Sequence, residues 1–283
     1  MAGTLLLRGM VCGIVAGLLC FSFLRFVGEP QVDRAIAFET QVNEAKAHAE
    51  AEALIAKGLT APKEEPEPEL VSRQVQAGIG LFTGVMIYNV AFGGLFALAF
   101  GLAYGRMGNF DPRSTAALLA ALGFAAVYIV PNFKYPANPP SVGDPATIGM
   151  RTALYFSMIA ISLAAMIAAG MLRLRLLAGH GPWNAFLIAA GAYLIVVVVI
   201  GVALPPVNEV PAEFPADVLW RFRIASAGAQ LITWTTIGLF FGALSERVLA
   251  RPPGVVRSSG TGRRGGAGRY GEDPAERPQA PPV

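Results

Sequence analysis

Asn132-Phe133-Lys134-Tyr135-Pro136-Ala137-Asn138-Pro139-Pro140-Ser141-Val142-Gly143-Asp144-Pro145-Ala146-Thr147-Ile148-Gly149-Met150-Arg151-Thr152-Ala153-Leu154-Tyr155 is the stretch that decides how this chain folds. Four prolines within ten residues exclude regular helix, because each lacks an amide donor and restricts the residue before it. On either side lies an apolar run long enough to bury itself in lipid. Irregular backbone cannot be satisfied by hydrocarbon, so this segment belongs in water or against a protein-lined cavity. A flexible spacer would be rich in Gly and Ser. Here Asn132, Lys134, Tyr135, Asn138 and Asp144 are instead locked among prolines, as a fixed polar surface at a membrane boundary.

Working outward, the 283 residues are 54% apolar and 14% charged, where a soluble domain carries about a quarter charged residues. The apolar residues fall in long blocks, which is the pattern of membrane-spanning helices. A net charge of +3 is too small to point to nucleic acid. Cys12 and Cys20 stand eight residues apart within one apolar run, so no bridge can join them, and they are read as structural residues.

The expected fold is an all-α integral membrane protein, a six-helix bundle with polar, Pro-rich extracytoplasmic loops. Its spans are about 5–27, 77–104, 114–130, 152–172, 184–204 and 224–244, with a polar loop over 28–76. Residues 1–250 form the transmembrane domain, and 251–283 an Arg/Gly/Pro-rich cytoplasmic tail expected to be disordered. The first run is too long for the apolar region of a cleaved signal peptide, so it is read as a retained span. Gly9, Gly13 and Gly17 recur every fourth residue, and Gly80, Gly84, Gly93, Gly101 and Gly105 form a second stripe. Both suit close helix contact. Beyond Gly28-Glu29-Pro30 the chain is charged and helical in character up to Gly58, and Ala61 to Leu70 reads as a stiff polar linker.

Six spans place both termini on one side, together with the short arginine loops at Arg106/Arg113 and Arg173/Arg175. The positive-inside rule makes that side cytoplasmic. All three outward helices are then expected to stop at a proline, namely Pro30, Pro131 and Pro205, and to lead into polar segments sharing one outer mouth. Glu29, Asp33 and Glu39 follow the first span; Asn138 and Asp144 the third; Asn208, Glu209 and Asp217 the fifth. Oxygen donors of this kind suit a hard or borderline divalent cation that keeps part of its water. Structural pairing with Arg25, Lys134, Arg151, Arg221 or Arg223 is the alternative role for each carboxylate. Glu44, His48 and Glu52 share one helix face that could hold a metal, and the simpler reading is a solvated face.

Catalytic patterns are missing. The sequence has no phosphate-binding Gly-x-x-x-x-Gly-Lys-Ser/Thr loop, no His-Glu-x-x-His and no Cys-x-x-Cys. His48 and His180 fall on opposite sides of the expected topology, so no nucleophile–base pair can be placed. The chain is not expected to be an enzyme.

Lys134-Tyr135-Pro136-Ala137-Asn138-Pro139-Pro140, with Val142-Gly143-Asp144-Pro145 and Arg151-Thr152, closely resembles the CbtA family of cobalt transporter subunits. Leu204-Pro205-Pro206-Val207-Asn208-Glu209-Val210-Pro211, Phe214-Pro215-Ala216-Asp217 and Leu219-Trp220-Arg221-Phe222-Arg223 are similar to the same family. So are Glu29-Pro30, Ala35-Ile36, Glu39 and Arg73-Gln74-Val75-Gln76. The resemblance covers Leu5 to about Arg247. It implies a bacterial inner-membrane subunit of a cobalt uptake system linked to cobalamin supply. Co2+ is the implied transported ion, with Ni2+ or another divalent metal as alternatives, and no tightly bound cofactor is implied. The implied partner is a small single-span, histidine-bearing subunit (CbtB), beside the lipid bilayer. A non-transporting scaffold for a separate permease is the second function that fits.

Overall fold

Each long apolar block satisfies its own backbone by becoming helix, as hydrocarbon demands. The computed structural model describes residues 2–59, 71–140 and 142–249, and among them there is no strand. The expected linker at Ala61–Leu70, the serine at 141 and the expected tail lie outside these residues. Five described helices are long and apolar enough to cross a membrane: α1 (Ala2–Ala56), α2 (Arg73–Ala103), α3 (Pro112–Lys134), α4 (Pro145–Ala203) and α5 (Ala216–Leu249).

Helix α4 is not straight. Gly181 takes φ 73°, ψ 168°, a left-handed φ that favours glycine, and Pro182 follows it. The Ser162 and Tyr193 hydroxyls then meet at 2.9 Å. Thirty-one residues of straight helix would hold them about 46 Å apart. The chain therefore doubles back at Gly181, and α4 is a hairpin of two arms. Arg173, Arg175 and His180, expected in a loop, stand on the first arm itself.

The expected stops at Pro30 and Pro131 do not occur. Helix α1 runs through Pro30 to Ala56, and α3 runs through Pro131 to Lys134. In both places one wide π-helical turn comes just before the proline, at Leu24–Gly28 and at Ala125–Ile129. A helical proline pushes against the carbonyl four residues earlier, here Phe26 and Val127. Both carbonyls lie inside the wide turns, which give the ring room. A third wide turn, Gln76–Gly80, opens α2. The last expected stop is observed, since α4 ends at Ala203 before Pro205. Helix α1 closes at Gly58 as expected, with Gly58 N donating to Ile55 O at 2.9 Å and Leu59 N to Leu54 O at 3.0 Å. Helix α5 begins at Ala216, so Asp217, Arg221 and Arg223 are on a helix and not in an irregular segment.

Helices α1, α2, α3 and α5 share one core. Cys12, Ala16, Phe96, Phe100, Ala116, Ala120, Trp234 and Phe241 are all buried there. Phe241 meets the edges of Phe96 and Phe100 at centroid distances of 5.5 and 5.0 Å, and Trp234 meets Phe92 at 4.8 Å. Small residues bring α1 and α2 together: a Cβ on Gly93 would collide with the Gly9 carbonyl, and one on Gly13 with the Asn89 backbone. The second expected glycine stripe is not a contact stripe. Of its members Gly93 is buried, whereas a Cβ on Gly84 or Gly101 would meet nothing within 4 Å. The α4 hairpin has its own cluster of Met158, Tyr193 and Val197, joined to α3 at Val130 and to Tyr135 just beyond it.

Candidate functional site

Because α1 continues through Pro30, its charged extension leaves the core beside the start of α2, the end of α3 and the start of α5. A small apolar cluster of Ala35, Val142, Phe214 and Val218 seals this polar end, with Phe38 edge-on to Phe214 at 5.2 Å. The three segments expected to share a mouth do meet here. Tyr135 Oη donates to Pro205 O at 2.9 Å. Arg223, about two helical turns inside α5, donates to Ala137 O at 3.1 Å and to Asn138 Oδ1 at 2.9 Å. That clamp fixes the Pro/Asn stretch and occupies the Asn138 oxygen.

Glu29 follows the first wide turn directly and is buried, at 7% exposed. Its Oε2 accepts from Arg73 Nη2, and the same guanidinium donates from Nε to Asp33 Oδ1 at 3.0 Å. Glu29 and Asp33 stand one turn apart on α1, which is the spacing a single fork can bridge. A carboxylate so far from water requires such a partner. Arg73 was not among the arginines expected to pair, because its sequence position gives no hint that residues forty-four apart adjoin.

Asp144 and Glu209 form the second charged group. The Asp144 amide donates to Glu209 Oε2 at 2.8 Å, and Thr147 Oγ1 donates to Glu209 Oε1 at 2.6 Å. Arg151 Nε stands 3.3 Å from Oε2 as an ion contact without hydrogen-bond geometry. The hydroxyl of Thr147, then the Asp144 amide, hold the Glu209 carboxyl below the usual carboxylate range. Asp144 itself turns back to cap the short helix after it, accepting from Ala146 N at 2.8 Å. Gly143, at φ 120°, passes so near the Arg151 guanidinium that a side chain would strike it.

Glu39, His48, Asn208 and Asp217 are exposed. Asp217 sits in the first turn of α5, where a negative charge favours the helix end. Glu44, His48 and Glu52 lie on the exposed extension of α1. Among the described residues no three His, Cys, Asp or Glu side chains come together at metal-binding separations. The polar end thus brings its candidates together in two groups, Glu29 and Asp33 on the Arg73 fork, and Glu209 on the Asp144 amide beside Arg151.

A half-open pocket, mostly apolar in its lining, lies between α1, α2 and α5. It has a volume of about 180 Å³ and is lined by Cys20, Tyr88, Asn89, Gln230 and Thr233, among others. Thr233 Oγ1 donates to Asn89 Oδ1 at 2.9 Å, Asn89 Nδ2 donates to Val85 O at 2.9 Å, and both residues are 1% exposed. Cys20 Sγ faces Thr233 and Asn89 and lies 3.8 Å from Ala229 O. These residues sit in three separate apolar runs, and each alone reads as an isolated polar residue. Gln230, an amide inside a spanning run, was the signal available in the sequence.

Comparison with known proteins places the chain by family alone. The family model described as "Probable cobalt transporter subunit (CbtA)" matches residues 2–246. No curated protein and no solved structure matches the chain.

Proposed function

This chain belongs to the CbtA family, and on that premise we propose that it is the membrane subunit of a Co2+ uptake system that supplies cobalamin synthesis. It crosses the bacterial inner membrane six times, with the two arms of α4 counted separately. Both termini are cytoplasmic, and the polar end faces outward. The turn at Arg106 and the hairpin turn at Gly181, with Arg173 and Arg175 on the arm before it, then lie inside, as the positive-inside rule favours. Glu29, Asp33, Asp144 and Glu209 give the outer end oxygen donors, with exposed Glu39, Asn208 and Asp217 around them. A dication arriving there exchanges part of its water for these oxygens. The protein carries out no catalytic step. A small single-span, histidine-bearing subunit supplies the imidazole ligands in which this chain, with two histidines, is poor.

The observation that carries the transport reading is the half-open pocket between α1, α2 and α5, where buried Asn89 and Thr233 bond each other beside Cys20. A subunit that only assembles another permease has no need of buried polar groups around an open space. The scaffold reading is favoured by one observation, the Arg73 fork that already occupies Glu29 and Asp33. Uptake of radiolabelled Co2+ by cells expressing this chain, with and without the small partner, distinguishes them. Transport requires saturable uptake that depends on this chain. A chain that is dispensable once a separate permease is expressed is a scaffold.

A further inference from the structure

Three basic residues at the polar end do not do what their sequence positions suggest. Arg25, Lys134 and Arg221 read as partners for carboxylates, yet the ion pairs found among the described residues belong to Arg73, Arg113 and Arg151. Glu29, one turn beyond Arg25, is taken by Arg73, and Asp217, one turn before Arg221, is in no ion pair among the described residues. Lys134 lies 5.8 Å from the centre of the Tyr135 ring, a contact that uses none of its three N–H donors. Next to each of these cations in the sequence stands an aromatic residue turned away from the protein. Phe26 is 79% exposed, Phe133 85% and Trp220 65%. Rings so bare are favourable where acyl chains cover them, and a basic neighbour then reaches the headgroups.

The pairs belong to three helices, α1, α3 and α5, and sit at one depth. A Cβ on Gly228 of α5 would strike the Phe23 ring of α1, so these two residues are level. Followed from there toward the polar end, α1 reaches Phe26 in three residues and α5 reaches Trp220 in eight. Between these levels Arg223 of α5 holds Ala137 O, three residues past Lys134. At about 1.5 Å per residue, the cations and rings fall within roughly two helical turns along the bundle.

We propose that these three aromatic–cation pairs form a belt that binds acidic phospholipid, with the rings among the acyl chains and the cations on phosphates. A guanidinium gives one phosphate two parallel N–H bonds, and the Lys134 ammonium meets it as a point charge. Acidic headgroups are preferred to zwitterionic ones, because cations without carboxylate partners gain most from a phosphate that brings no ammonium of its own. The belt fixes the depth of the bundle and keeps the clamped Pro/Asn stretch at the water boundary. The inference needs only the membrane-spanning helices and is independent of cobalt uptake.

The test compares the full chain in nanodiscs of phosphatidylcholine with nanodiscs that also contain phosphatidylglycerol. Phosphatidylglycerol is expected to raise the melting temperature of the wild type by several degrees. The triple variant Arg25→Gln, Lys134→Gln, Arg221→Gln should melt like the wild type in phosphatidylcholine and lose most of that rise. Arg34→Gln, which removes an exposed cation farther out on α1, should keep it. Inorganic phosphate added to phosphatidylcholine discs should not reproduce it. On the wild type itself, a phosphatidylglycerol with a photoreactive group beside its phosphate should label the segments around residues 26, 133 and 220, mapped by mass spectrometry. That labelling answers the question even where the triple variant fails to fold. No rise in the wild type, an equal rise in the triple variant, a rise produced by free phosphate, or labelling confined to other segments overturns the belt.

Discussion

The backbone amide of Asp144 donates a 2.8 Å hydrogen bond to Glu209 Oε2, so a residue beyond α3 is held by a residue beyond α4. The two carboxylates are therefore not equivalent. Asp144 caps its own short helix, while Glu209 gathers Thr147, the Asp144 amide and Arg151. Glu209→Gln is expected to lower membrane abundance several-fold, because the amide group turns a donor toward donors. Asp144→Asn keeps the capping oxygen and should leave abundance unchanged while weakening apparent Co2+ affinity. Uptake measured against metal concentration, beside immunoblot abundance, checks both. Equal loss of protein in the two variants refutes the distinction.

Acid should act on the same contact. The Glu209 carboxyl is held below its usual value, chiefly by Thr147 and then by the Asp144 amide. A depressed folded value means that the stabilisation is complete above the unfolded value of about 4.3. It is lost as pH falls through the lower folded value. Hydrogen exchange of the Asp144–Thr147 segment, normalised to intrinsic rates, should stay protected from neutrality to about that pH and open only below it. Opening near neutrality would contradict the assignment.

At the other pair, Arg73→Ala leaves Glu29 buried without its cation. A fully buried pair costs about 3–5 kcal/mol when one partner is removed. Arg73 retains 30% exposure, so solvent screening reduces the expected cost to roughly 1–3 kcal/mol. Adding Glu29→Gln should recover part of it. Thermal melting of the purified variants measures the difference, and a double variant no better than Arg73→Ala alone would show that the fork does not hold this end.

Helix contact gives a paired test. Gly93→Ala must push α1 from α2, at a cost of about 1–3 kcal/mol, because its Cβ collides with the Gly9 carbonyl. Gly101→Ala, eight residues on with open space beside it, should leave melting and abundance unchanged. Matching losses would place the seam elsewhere.

Orientation is tested with single cysteines at Ala146 and Asn109, both exposed, in a background lacking Cys12 and Cys20. An impermeant maleimide added to whole cells should label the first and spare the second. The opposite pattern would turn the bundle over and put the polar end in the cytoplasm.

Much was legible in the sequence because it depends on composition over long windows. Blocks of Leu, Val, Ile, Ala and Phe must become helix in lipid, whatever their neighbours, so the helical class and the helix-forming blocks could be read directly. Prolines clustered at residues 136–145 marked the polar surface for the same local reason. Local rules failed where one turn could absorb a defect. Pro30 and Pro131 read as stops, yet a single wide turn before each proline carries the helix onward, and only the folded chain decides whether that turn forms. The pairing of charges was also not readable. Arg73 reaches Glu29, Arg223 reaches Asn138 and Glu209 reaches Asp144 across distances in sequence that only packing closes. The pocket between α1, α2 and α5 shows this most plainly. Cys20, Asn89, Gln230 and Thr233 are single polar residues in three apolar runs, and it is the glycine-seamed approach of α1 to α2, with α5 beside them, that makes them neighbours.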